Sequence, residues 1–147
     1  MDLTGFLEER SQAIVDEATG AIGRVHIPHY QVGNETRERF ETLMRALVDS
    51  LSKRDLTSIV THAHDIAKKR FDAGFDLSEV QTAFNVLEEI TWKRILSEVE
   101  PSEQAQALGL VSTALGAGKD ALARTYVSCA THAHAPSLDL GRLFAGI

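Results

Sequence analysis

Cysteine, proline and aromatic residues are scarce in this chain: its 147 residues include one Cys, three Pro, one Trp, two Tyr and six Phe. A single thiol rules out an internal disulfide framework and a thiolate zinc knuckle. It agrees with a reducing compartment, so the expected location is the cytoplasm. Basic charge is also in short supply. Fifteen Lys and Arg stand against 21 Asp and Glu, a formal charge of −6, which leaves no basic field to neutralise phosphates, and nucleic acid is not an expected partner. No stretch approaches the roughly 18 uncharged apolar residues of a membrane span. Asp2, Glu8 and Glu9 stand where a signal peptide would carry positive charge, so a soluble, untargeted protein with no membrane partner is expected.

What the chain does have is helical periodicity over a length that favours one domain, expected over residues 1–147. Leu3, Phe6, Leu7, Ile14, Ala18 and Ile22 recur with a period near 3.6 and predict a first helix ending near Gly20 or Gly23. Arg24 to Asn34, with Pro28 and Gly33, reads as a connector whose Val25, Ile27 and Tyr30 are apolar enough to pack. Phe40, Leu43, Met44, Leu47, Val48 and Leu51 form the cleanest amphipathic stripe and predict helix two. Asp55 is placed to cap helix three, whose inward face would be Leu56, Ile59, Val60, Ala63, Ala67 and Phe71, with Gly74 as its left-handed stop. Asp76 and Glu79 form a capping box, and Phe75 with Val80 a hydrophobic staple, so helix four starts there. Its apolar arc, from Leu77 to Val99, is too wide for one neighbour and points to a central position.

Pro101 breaks helix four and Ser102 can restart the chain into a long fifth helix running towards His134. Gly109, Gly116 and Gly118 interrupt its stripe. They either permit close helix approach or mark a kink near Gly116. Leu138, Leu140, Leu143, Phe144 and Ile147 make the tail too apolar to be solvated, and it is expected to dock. No alternating stretch of strand length competes, so the expected fold is all-α, a bundle of five or six helices with globin-like packing as one variant.

Histidine is the first residue to weigh for chemistry. Thr-His-Ala-His occurs at Thr61 to His64 and again at Thr131 to His134, but the flanks differ and no internal duplication follows. On a helix His62 and His64 point roughly 200° apart and cannot grip one metal ion together. The plain reading is two half-buried imidazoles beside the apolar arc. The alternatives are a haem or metal sensor using a bundle histidine, and histidine phosphotransfer through His64, which has Lys68 one turn on. No metal site and no cofactor is called for. Gly116-Ala117-Gly118-Lys119-Asp120 lacks the Ser or Thr, the earlier Gly and the preceding strand of a phosphate-binding loop. Cys129 reads as an inert thiol among Tyr126, Ala130 and Ala133. There is no catalytic constellation, and an enzyme is not expected.

Two further side chains stand out. Arg70 falls inside the arc of Ile59, Ala63 and Ala67, where it must snorkel, meet a carboxylate such as Glu88 or Glu89, or take part in ligand or signal recognition. Trp92 reads first as core against helix five and second as an anchor at a subunit interface. Leu108, Val111, Leu115, Gly118 and Leu122 are spaced by three and four, the period of a helix-helix seam, and predict a homodimer through helix four or five.

The run from Arg70 to Val80, Arg-Phe-Asp-Ala-Gly-Phe-Asp-Leu-Ser-Glu-Val, followed by Phe84, Leu87, Glu88 and Trp92, resembles the N-terminal sensor domain of the RsbT co-antagonist (RsbRD-type) proteins of bacterial stress signalling. That resemblance implies an all-α, globin-like, non-enzymatic regulatory domain, commonly dimeric, that passes an input to an attached output domain. The usual output there is an anti-sigma-antagonist domain with phosphorylatable Thr or Ser, and the chain beyond Ala130 is too short to be one. The expectation is either a regulatory protein partner acted on in trans or a C-terminal output domain following Ile147. With Arg70, His64 and Trp92 as signal candidates, helix repacking is the expected mode of action.

Overall fold

The computed structural model describes residues 1–25 and 34–134, which form five helices and no strand. Most of the expected connector and the whole apolar tail lie outside these residues. The helices are α1 (Leu3–Arg24), α2 (Asn34–Lys53), α3 (Thr57–Asp72), α4 (Leu77–Glu98) and α5 (Pro101–His134). They stand as a ring, α1 beside α2, then α3, α5 and α4, which closes back on α1; α2 also reaches α5 across the middle. The expected all-α bundle, of five or six helices, is formed with five among the described residues.

Each boundary has a local cause. Asp2 accepts from the Gly5 amide at 3.0 Å and starts α1. The carboxylate of Asp55 accepts from the Thr57 amide at 2.8 Å, and the buried Ser50 hydroxyl accepts from the Ile59 amide at 3.0 Å, so two opening amides of α3 are satisfied. Both α2 and α3 end in the same way. At Gly74 (φ 86°), Phe75 N–H reaches Arg70 O at 2.9 Å and Gly74 N–H reaches Phe71 O at 3.1 Å. At Arg54 (φ 51°), the equivalent bonds run from Asp55 to Ser50 and from Arg54 to Leu51. The Asp76–Glu79 capping box opens α4 as predicted. For α5 the first helical residue is Pro101 itself, ahead of Ser102, because a proline at that position loses no intrahelical bond.

Phe40, Leu43, Met44 and Leu47 of α2 are buried as the stripe predicts. On α3 the inward face is narrower than predicted: Ile59, Ala63 and Ala67 are fully buried, whereas Leu56 and Val60 lie at the surface. The central position expected for α4 belongs instead to α5, which packs on α2, α3 and α4, with its closest packing on α3. The apolar arc of α4 is divided between α1 and α5, and Trp92 and Leu96 are left outside it.

Gly118 is where this packing is tightest. A Cβ there would sit 2.8 Å from Cε2 of Phe84 and 3.2 Å from Cγ1 of Ile59, whereas Gly109 and Gly116 face open space. Of the two readings given to these glycines, close approach holds at 118, and α5 runs unbroken through Gly116. Gly118→Ala is therefore expected to destabilise the protein by about 1–2 kcal/mol, overpacking outweighing the gain in helix propensity. Gly109→Ala and Gly116→Ala should each stabilise it by about 0.5–1 kcal/mol. Urea unfolding of the three variants checks the difference in sign.

Candidate functional site

The left-handed stop at Gly74 turns Phe75 back into the bundle, where only 8% of it remains exposed. Two guanidiniums lie over its ring, Arg70 at 5.3 Å and Arg39 of α2 at 5.6 Å from the centroid. The carbonyl of Phe75 accepts the hydroxyl of Tyr126, at 3.0 Å, and Tyr126 meets Phe71 edge-on with centroids 5.6 Å apart. The α3–α4 turn is thus held by α2 on one side and by α5 on the other.

Along α3 the same face carries Arg70, Ile66 and His62 in steps of four. Of these, His62 and Ile66, with Thr36, Phe40 and Leu43 of α2 and Val80 and Phe84 of α4, line an apolar cavity of about 20 Å³, the size of one water molecule. His62 Nε2 is buried without a hydrogen-bond partner, the only such side-chain atom among the described residues. Burial pushes the imidazole below its ordinary 6.5; Asp65 opposes the shift, and Arg70 and Lys69 add to it. On its other side His62 borders an open groove between α2 and α3 that also holds Arg45, Asp49 and Asp65.

The residues singled out in sequence are not brought to one place. Arg70 joins the Phe75 turn. Neither Glu88 nor Glu89 is its partner, since Glu88 pairs with Lys119 at 2.9 Å and Glu89 with Lys93 at 3.2 Å. Lys119, also bonded to Asn85, is thereby engaged in the α4–α5 contact inside a continuous helix, which disposes of any phosphate-loop role. His64 faces α5 at the surface, its Nδ1 3.0 Å from Thr125 Oγ1, on the opposite side of α3 from His62. No group of three metal-ligating side chains occurs among the described residues. Trp92, read first as core, is 40% exposed on the outer face of α4. The seam proposed for a partner helix is filled from within: Val111, Leu115 and Leu122 are fully buried, Gly118 lies under Phe84 and Ile59, and Leu108 packs on the core. Cys129 is a half-buried free thiol. Sequence reasoning passed over Arg39 and Thr36, which a surface-helix pattern does not distinguish. It left Tyr126 as core, although a buried phenol requires a partner.

The model of one known family, the RsbT co-antagonist protein rsbRD N-terminal domain, matches residues 8–136, which include α2 to α5 and most of α1. The chain belongs to that family. It is a family of regulatory domains in stress signalling, as the resemblance between Arg70 and Trp92 implied. No curated protein and no solved structure matches the chain. No helix among the described residues is long and apolar enough to cross a membrane.

The orphaned imidazole sets a pH dependence in this rsbRD-type domain. Because the folded ring binds its proton less readily than the unfolded one, stability is whole above about pH 6.5. It falls as the pH drops from there through the folded value, and levels off below. The depressed carboxyls of Asp49 and Asp55 act in a separate window, below their ordinary 3.8. His62→Leu should remove the loss near neutrality and raise stability at about pH 7 by about 1–2 kcal/mol, since no bond is lost and an unsatisfied atom is. Urea titrations of both proteins at about pH 5 and about pH 7.5 measure the two effects.

Proposed function

We propose that this chain is a non-enzymatic input domain of bacterial stress signalling, acting as a homodimer through repacking of its helices and passing its state to a regulatory protein. The family's name, RsbT co-antagonist, makes RsbT or a partner of it the natural recipient. The observation that carries the reading is the Tyr126–Phe75 hydrogen bond at 3.0 Å, which couples the α3–α4 turn to the long helix α5. Helices packed ridge into groove move between discrete arrangements, and a single rod of 34 residues, about 51 Å long, carries such a shift to its far end. The site described above has no nucleophile next to a base and no oxyanion donors, so binding and motion are its working parts.

The dimer contact falls on α4. Trp92 and Leu96, one turn apart, are 40% and 53% exposed, and the Glu89–Lys93 pair lies beside them. An apolar centre flanked by both charges is self-complementary, as a two-fold contact requires.

Two measurements test these statements. In sedimentation at about 100 μM the wild type should run as a dimer, and the Trp92→Glu, Leu96→Glu double variant as a folded monomer. A monomeric wild type at that concentration removes the homodimer. In cells, Tyr126→Phe should cost about 1–2 kcal/mol of stability and blunt induction of a stress-responsive reporter while protein abundance is kept equal. Unaltered induction would leave α5 without its proposed role.

A further inference from the structure

At the end of the bundle where α1, α3 and α5 begin lies a cleft of about 550 Å³, within the range of small-molecule sites. Leu56, just before α3, and Leu110 of α5 both line it, 38% and 45% exposed. Three carboxylates border the cleft, and each is already engaged. Asp2 accepts from Gly5 N–H at 3.0 Å, Asp55 from the amide and hydroxyl of Thr57 at 2.8 and 2.6 Å, and Glu103 pairs with the Met1 amino group at 3.2 Å.

Arg54 differs from all of them. It borders the cleft with no ion pair or side-chain hydrogen bond among the described residues. It is also the one non-glycine described residue with a left-handed backbone, at the helix-ending position that glycine fills best and that Gly74 fills on α3. An arginine there gives up stability, and in return it sets an unpaired guanidinium at a cleft of mixed lining that also holds Leu56 and Leu110.

We infer that this cleft binds a small amphiphilic monoanion, its carboxylate paired with Arg54 and its short aliphatic body lying between Leu56 and Leu110. A guanidinium holds a carboxylate in a two-pronged bond that an uncharged head group does not reproduce. A bound body of that kind touches the α2–α3 turn and α5 together and so biases their packing. That consequence rests on the role proposed for α5; the binding does not.

Decanoate is the probe, with decanol as its uncharged counterpart, titrated into the full chain while the methyl resonances of Leu56 and Leu110 are followed by NMR. Both methyl groups should shift saturably with half-saturation below about 1 mM. Affinity should fall about tenfold or more with decanol and in Arg54→Gly. Arg54→Gly also relieves the left-handed strain, so its thermal midpoint should rise by about 2–4 °C while decanoate binding falls, and unfolding cannot explain the loss. Absence of saturation, undiminished affinity in Arg54→Gly, equal affinity for decanol, or shifts confined to other parts of the bundle overturns the site. None of these readings involves a second subunit or a reporter, so failure here and failure of the regulatory role are told apart.

Discussion

The close seating of α5 against Ile59 of α3 and Phe84 of α4 at Gly118 is the constraint on which the rest of the bundle depends. With no side chain at 118, the edge of the Phe84 ring and the branch of Ile59 occupy space that a methyl group would claim. The consequence runs along the whole helix. Val111, Ala114, Leu115 and Leu122 are brought fully inside, and Tyr126, one turn past Leu122, arrives at the α3–α4 turn at hydrogen-bonding distance from Phe75 O. Packing at protein density leaves little room for intermediate positions, so α5 either sits in this groove or moves to another.

Most polar groups the helices bury are satisfied locally. Thr19 and Thr91 donate back to the carbonyls four residues earlier, and Ser50 serves an amide at the start of α3. Against that background His62 is an exception with a physical meaning. Its Nε2 is buried without a partner, and the small cavity that His62 lines with Phe40, Leu43 and Val80 offers one water too few partners to be held well. The imidazole is tolerated because it stays neutral, and the nearby Arg70 and Lys69 reinforce that state. A polar atom left unsatisfied among packed helices lowers the cost of separating them.

The fold was legible in the sequence where single residues dictate backbone geometry. Gly74, the Asp76–Glu79 box and Pro101 each act through φ, a lost N–H or a short-range hydrogen bond, and each falls where expected. The stripe from Phe40 to Leu51 was equally plain, because one face of α2 is buried throughout. Misreadings arose where two neighbours compete for one helix. A spacing of three and four from Leu108 to Leu122 marks a seam, yet nothing in the spacing says whether the partner is another copy or the chain's own α3 and α4. Trp92 and Leu96 belong to an apolar arc whose outer edge no helix covers, which a helical wheel cannot distinguish from the core. Arg39 was invisible because its partner Phe75 lies 36 positions on; Arg54 was passed over, because only its φ of 51° sets it apart from other helix-end cations.

Helix α5 joins the two ends of this molecule. Leu110 at the cleft and Tyr126 at the α3–α4 turn stand 16 residues apart, about 24 Å along one axis. Between them lies Gly116, at which added bulk would meet nothing, so packing does not require a glycine there. Its physical effect is on the helix itself: it weakens the local preference for helix and makes bending easiest one turn or less from the close contact at Gly118. The helix is thus closely packed at 118 and intrinsically weakest at 116. Two glycines two positions apart therefore act differently: Gly118 lets α5 close on Ile59 and Phe84, and Gly116 acts only on the stiffness of the helix between the cleft and the α3–α4 turn.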